Sequence, residues 1–273
     1  MVINDLKNIV DKNKTLGNSE YVRNLLKEKL QIYILNFVYT SKYKDLIFTG
    51  GTCLRKFFDL PRISEDLDFN IDKKDFDFES FQNDLSTYFV KKLGFRNFTF
   101  KFNNKTIFVK FSILRDIGFA GPSDSDILFL RLDFAFNNNI NNKTENRIYT
   151  KEGFAFIARC YDINTLFVNK IDAFLNRLYR KGNIQQESFK GRDAFDLVWI
   201  INEKKNKGLN LDNITGDLKS KIIDKSKKIK PKELYNDLKN FFEDQNFIRQ
   251  FCDDYQKLLE TTLKYIWWKN LKI

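Results

Sequence analysis

The chain of 273 residues contains no histidine. That absence removes Ser-His-Asp and Cys-His nucleophilic catalysis and every His-ligated metal, so any bound ion falls to carboxylates, which suit a hard cation such as magnesium. The three cysteines, Cys53, Cys160 and Cys252, are odd in number and far apart, which argues against a disulfide framework or a zinc cluster and fits reduced thiols. Prolines number three and glycines 11, so two adjacent glycines stand out. No run of about 18 apolar residues occurs, and Met1-Val2-Ile3-Asn4-Asp5-Leu6-Lys7 has no basic stretch leading into an apolar one. Neither a membrane span nor a signal peptide is expected, and the expected compartment is the cytoplasm.

What is present suffices for a sizeable core, since 42% of the residues are hydrophobic and the length allows one large domain or two smaller ones. The net charge of +11 points to an anionic partner such as nucleic acid, while the abundance of Lys, Asn, Ile and Phe also fits an AT-rich genome. The basic excess is slightly denser beyond residue 160.

Apolar residues at near-helical spacing after Ser19 predict a leading helix over 20–42, with Ser19 as a plausible cap. A short apolar run, 44–49, ends at Gly50-Gly51, and 52–59 reads as a helix stopped near Pro61. The segment 66–71 alternates as a strand does. Three more β-rich runs follow, at 95–102, 106–114 and 127–136, and an antiparallel meander is the economical arrangement for them. A further strand is expected over 154–161, then a helix from Ile163 to about Arg180 capped by Asp162, and another from about Phe189 to Glu203 capped by Ser188. The tail from Asp212 is Lys-rich and helical in pattern. The boundary between an α/β part and a helical part is thus expected near residue 160.

Two constellations carry candidate chemistry. In an extended segment Asp66 and Asp68 project to one side while Leu67 and Phe69 project to the other, so two carboxylates converge. Like charges so close call for a cation between them, although a solvated acidic edge would look the same. A double glycine between strand and helix lets backbone N–H groups approach an anion, with the helix N-terminus favouring negative charge. The glycine turn and the Asp-x-Asp segment lie 13 residues apart, counted between Thr52 and Asp66. Arg55 and Arg62 flank them and either can hold phosphate oxygens or pair with Glu65 or Asp59. Asp133, in the later run Leu130–Phe136, is a candidate third carboxylate or, equally, a partner for Arg131 on the same strand face.

The stretch "GGTCLRKFFDLPRISEDLDF" resembles the nucleotidyltransferase superfamily typified by DNA polymerase beta and, more narrowly, the AbiEii/AbiGii toxin family, where a GGT-x-LR segment leads into R-x-S-x-DLDF. "LFVNKIDAFLNRL" and "KGRDAFDLVWI" are similar to the family's two later motifs. The resemblance implies an α/β (α+β) fold: a polymerase-beta-like nucleotidyltransferase core with a mixed or antiparallel sheet and leading helices over 1–160, and a helical C-terminal domain over 161–273 that contributes Lys, Arg and Asp to the site. It implies that Asp66, Asp68 and Asp133 hold Mg2+ and that Gly50, Gly51 and Thr52 contact the phosphates of an NTP, with Arg55, Arg62 and Ser64 alongside. Lys170 and Arg192 would bind nucleotide and Asp193 would complete the site. Lys170 and Asp193 fall on the borders of amphipathic helices, where substitution is expected to cost little stability. The roles of Asp172 and Asp196 stay undecided, Asp196 being one turn from Asp193 and able to orient Arg192.

The activity implied is magnesium-dependent transfer of a nucleotide from an NTP to an acceptor, with the tRNA 3′ end the first candidate and a cognate antitoxin as partner. A protein acceptor is the nearest alternative. An NTP-binding module that senses without transferring is a second, and a basic RNA-binding protein indifferent to magnesium a third. The lysines from Lys219 to Lys232 could follow an RNA backbone with stacking on Tyr265, Trp267 or Trp268, or be a solvated helix with the tryptophans anchoring the last helix.

Overall fold

The computed structural model describes residues 1–270 other than 73–74, 138, 182–183, 205–206 and 212–213, with the side chains of 179–187 and 265–270 also left aside. The chain divides into two compact units, Met1–Asp162 and Ile163–Ile273.

The first unit opens with α1 (Val2–Lys12) and α2 (Ser19–Tyr39). The cap of α2 is Asn18 rather than Ser19: its side chain accepts from the Tyr21 amide at 3.1 Å. Strand β1 (Ile47–Thr49) runs into α3 (Gly50–Phe57), so the helix starts at the glycines themselves. Then come β2 (Leu67–Ile71), α4 (Phe78–Thr87), β3 (Phe98–Asn103), β4 (Thr106–Ser112), β5 (Ile127–Phe136), β6 (Thr144–Tyr149) and β7 (Phe156–Tyr161).

The seven strands form one sheet in the order β3-β4-β5-β2-β1-β7-β6. The expected antiparallel meander holds for β3, β4 and β5. The sheet as a whole is mixed, because β2 lies parallel to β5 and β1 parallel to β7. The β2–β5 register places Asp68 directly beside Asp133. Alternation then decides the faces. On β5, Leu128, Leu130, Leu132 and Phe134 are buried, and Phe129, Arg131 and Asp133 point the other way. The buried face is covered by α4, whose Phe81 ring lies 5.5 Å from that of Phe134. Phe89, just beyond α4, packs 5.4 Å from Phe111 of β4. Helix α4 and strand β6 lie in segments for which the sequence predicted no element.

The second unit contains α5 (Ile163–Asn176), a hairpin of β8 (Leu178–Lys181) and β9 (Ile184–Glu187), α6 (Gly191–Lys204), α7 (Gly216–Lys227), α8 (Pro231–Leu238) and α9 (Gln245–Asn270). Helix α5 therefore stops four residues short of its expected end, where the hairpin begins. The core is aromatic here too, with Phe195 of α6 between Phe242 at 4.8 Å and Phe251 of α9 at 4.9 Å. The amide of Gly191, at the start of α6, donates to Asp237 Oδ2 of α8 at 2.5 Å, placing a carboxylate where the helix dipole favours one.

Candidate active site

The glycine turn is built to admit a carboxylate. Gly50 has φ +77°, which a side chain tolerates poorly, and a Cβ on it would fall 2.0 Å from Asp68 Oδ2. Gly51 is small for a different reason: a Cβ there would lie 2.6 Å from the guanidinium of Arg62 and 3.1 Å from Ser64 Oγ. Arg62 is almost fully buried and donates to the Ile63 carbonyl at 3.0 Å. It therefore sits beneath the turn as a fixed positive charge, and Ser64, also buried, lies beside it.

Thr52 is buried and its hydroxyl donates to the Asp66 backbone carbonyl. The hydroxyl expected at the phosphates thus ties α3 to the segment that carries the aspartates. Arg55 pairs with neither Glu65 nor Asp59. Its Nε donates to Glu28 of α2 at 3.0 Å and its Nη1 to the Leu60 and Pro61 carbonyls. Glu28 also accepts from Lys56 at 3.5 Å, so the two cations of α3 clamp it to α2. Arg55 thus fastens α3 to α2 and to the Leu60 and Pro61 carbonyls.

Asp66, Asp68 and Asp133 come together through strand pairing, at the middle of the sheet. Asp133 accepts from Thr106 Oγ1 of β4 at 2.6 Å and pairs with Arg131 at 2.6 Å. The same Arg131 nitrogen reaches Asp66 Oδ2 at 3.3 Å. Burial works against the Arg131 charge, but the fields of Asp66, Asp133 and Asp68 outweigh it and hold its pKa above the ordinary value. Asp133 thus pairs with Arg131 and stands beside Asp68 in the strand register.

No group of three or more acidic or cysteine side chains among the described residues is spaced to share one ion as it stands. The donor set nevertheless fits a divalent cation. It offers carboxylate oxygens alone, from adjacent strands, and it already gathers about the Arg131 guanidinium, which stands in for a cation.

In the second unit Lys170 of α5 lies 3.1 Å from Asp193 and 2.8 Å from Asp196, both on α6. Arg177 donates to Asp193 through Nε at 3.0 Å and Nη2 at 2.6 Å. Asp193 and Asp196 are buried, so these are not border charges. Burial alone would push the Asp193 carboxyl up, but Lys170 and Arg177 reverse that and hold it at about 2. Asp196, whose role the sequence left undecided, pairs with Lys170, and the guanidinium carbon of Arg192 lies 4.5 Å from the Phe241 ring centroid. Asp172 accepts from Asn176 on the exposed side of α5.

Of the tail lysines, Lys225 is buried and donates to the Leu175 carbonyl at 2.8 Å, whereas Lys221, Lys227, Lys228, Lys230 and Lys232 are exposed. The stacking expected of Tyr265, Trp267 and Trp268 concerns side chains outside the described residues.

A mixed sheet with a strand–glycine–helix turn beside an Asp-x-Asp strand and a third Asp on the neighbouring strand is the arrangement that the resemblance to nucleotidyltransferases implies. The particular family follows from the sequence: the chain belongs to the nucleotidyl transferase AbiEii toxin family of type IV toxin–antitoxin systems, whose model matches residues 36–266. Membership makes the protein a nucleotidyltransferase of toxin type, with an antitoxin as counterpart. Among solved structures it is similar to JHP933 from Helicobacter pylori, at 21% identity over 89% of this chain and 94% of that one, with a TM-score of 0.50. A second solved structure from H. pylori, provisionally described as a nucleotidyltransferase, is 20% identical over 89% of this chain and 96% of its own, with a TM-score of 0.49. No curated protein matches the chain. Among the described residues, no helix is long and apolar enough to cross a membrane.

Proposed function

We propose that the protein transfers a nucleotide from an NTP to a hydroxyl of an RNA acceptor, with the tRNA 3′ end as the first candidate, in a magnesium-dependent reaction. The observation that carries this reading is the register of β2 on β5, which sets Asp133 beside Asp68, with the Arg131 guanidinium in contact with both Asp133 and Asp66.

The triphosphate would lie along the Gly50-Gly51 turn, where the α3 N-terminus and the buried Arg62 both favour anions. Asp66, Asp68 and Asp133 would hold Mg2+. When bound, the ion supplies positive charge to the phosphates and to the attacking oxygen. The acceptor oxygen forms a bond to the α-phosphorus, the bond from that phosphorus to the bridging oxygen of the β-phosphate breaks, and pyrophosphate leaves. Asp133 would take the hydroxyl proton. Lys170 and Arg192 retain the nucleotide-binding role implied by the family resemblance, with Asp193 positioning Lys170.

The test is a triphosphate titration by calorimetry with and without magnesium, on the wild type, Asp66→Asn and Asp68→Asn. Removing one carboxylate should weaken magnesium-dependent binding at least tenfold and abolish label transfer to tRNA. Unchanged binding in both folded variants would overturn the metal assignment. Label appearing on protein rather than RNA would favour the protein-acceptor alternative.

A further inference from the structure

The sheet face beyond Arg131, which no part of the catalytic reading uses, carries basic and aromatic side chains in alternation. Lys101 of β3 pairs with Phe108 of β4, and Phe108 with Arg131 of β5. One step further along, Lys110 of β4 pairs with Phe129 of β5. Their neighbours Ile107, Val109, Leu128 and Leu130 are buried, so period two turns this second set outward. With Lys27 of α2 and Asp66 they line an open hollow of about 380 Å³ in the first unit. That is near the lower end of small-molecule sites, which begin at about 300 Å³.

Three features point to what it holds. Phe129 is 48% exposed, a large apolar ring left in water on a sheet face. Among the described residues neither Lys101 nor Lys110 has an ion-pair partner, and the Lys110 ammonium lies 5.7 Å from the Phe129 ring centroid. Successive outward residues of a strand are spaced about 6.6 Å apart, wider than the roughly 3.4 Å step of a duplex strand. Rings and cations at that spacing suit an unstacked single strand, whose bases lie on aromatic rings and whose phosphates meet lysines.

The order of the sheet supplies the direction. The glycine turn follows β1, on one side of the aspartates of β2, and the basic aromatic face lies on the other side, across β5, β4 and β3. In-line displacement puts the attacking oxygen opposite the leaving pyrophosphate. A triphosphate on the β1 side therefore receives its acceptor from the β5 side. We propose that the outward face of β3, β4 and β5 binds the single-stranded 3′ end of the RNA acceptor, stacking bases on Phe108 and Phe129 and holding phosphates with Lys101 and Lys110, so that the terminal hydroxyl arrives at Asp133. This rests on the transfer reading above, and it moves the main RNA contact from the Lys-rich tail to the sheet.

The test uses the full chain and a fluorescein-labelled eight-nucleotide single-stranded RNA with a free 3′ hydroxyl, followed by anisotropy in magnesium without triphosphate. Phe108→Ala and Phe129→Ala should each weaken binding roughly tenfold, and Phe129→Trp should restore it, separating lost stacking from misfolding. The pair Lys101→Ala and Lys110→Ala should reduce the slope of log affinity against log salt by about 1.4. Affinity within twofold of wild type in every face variant overturns the proposal. So does a wild type that binds no RNA, a loss seen only on changing Lys227, Lys228 and Lys230, or face variants that lose an acidic protein partner while keeping RNA. The transfer reading is judged separately, by the triphosphate titration of Asp66→Asn. If that variant loses triphosphate while the face variants keep RNA, only the docking surface falls. If it keeps triphosphate, the transfer reading falls.

Discussion

At the scale of single residues, two positions show how closely the turn and the carboxylates depend on each other. Gly50→Ala sets a Cβ against the Asp68 carboxylate and forces a positive φ on a side chain. The strain alone is worth about 1–3 kcal/mol, and relief requires Asp68 to move. A lowered melting temperature together with a loss of triphosphate binding is expected, and a variant that binds as well as wild type would show that the contact does not matter. Arg131 is the second position. Arg131→Met leaves Asp66 and Asp133 without their shared cation. Because the pair is partly exposed, the cost without divalent ions should be modest, about 1 kcal/mol. Added magnesium should then raise the melting temperature of the variant more than that of the wild type, since the ion replaces a charge that the variant lacks. Equal shifts would argue that arginine and metal do not compete for the same carboxylates.

At the scale of elements, the α5–α6 pair is held by buried charge. Asp193 titrates at about 2 in the fold, below its ordinary 3.8. A depressed carboxyl contributes stability that is present above its unfolded pKa and lost as pH falls through the folded one. The contribution, about 2 kcal/mol, should therefore disappear between about pH 4 and pH 2. Asp193→Asn should lose it at neutral pH, and urea unfolding at several pH values would show the variant with a flatter acid limb. A variant as stable as wild type at pH 7 would contradict the ionic account. Sequence patterns placed these residues on neighbouring helices but not inside, because amphipathic spacing ranks positions by their own helix and cannot see what the next helix covers. The same limit hid the Arg55–Glu28 pair, whose partners are 27 positions apart. Strands with a buried face were legible through their alternation, as at Asp66–Ile71 and Ile127–Phe136. Strand β6 was not, since most of Thr144–Tyr149 is polar and only Tyr149 is buried. Helix α4 did carry a usable signal in the Asp77 cap and the spacing of Phe78, Phe81 and Leu85. The parallel pairing of β2 with β5 had none, because register between distant strands is set by packing rather than by local periodicity.

At the scale of the whole molecule, the division at Asp162 separates the aspartates and the glycine turn from the helices that carry Lys170, Arg192 and Asp193. We propose that it is a division of labour too, with the metal and the main triphosphate contacts in the first unit, and with Lys170 and Arg192 of the second adding nucleotide contacts needed for transfer. The first unit contains a complete seven-stranded sheet and its own aromatic core, and a domain of that length buries enough surface to fold alone. Residues 1–162 produced separately should therefore melt cooperatively and bind triphosphate in the presence of magnesium, yet fail to label tRNA. The full chain carrying Lys170→Gln should also fail, while the conservative Lys170→Arg should recover part of the activity. Stability has to be read beside transfer, because removing Lys170 leaves two buried carboxylates short of a cation, and breaking such a pair can cost about 3–5 kcal/mol. If Lys170→Gln melts early but transfers normally at low temperature, the network is a staple between α5 and α6 and nothing more. If residues 1–162 transfer as well as the full chain, every residue needed for chemistry lies in the first unit, and the second must act on something other than the reacting atoms.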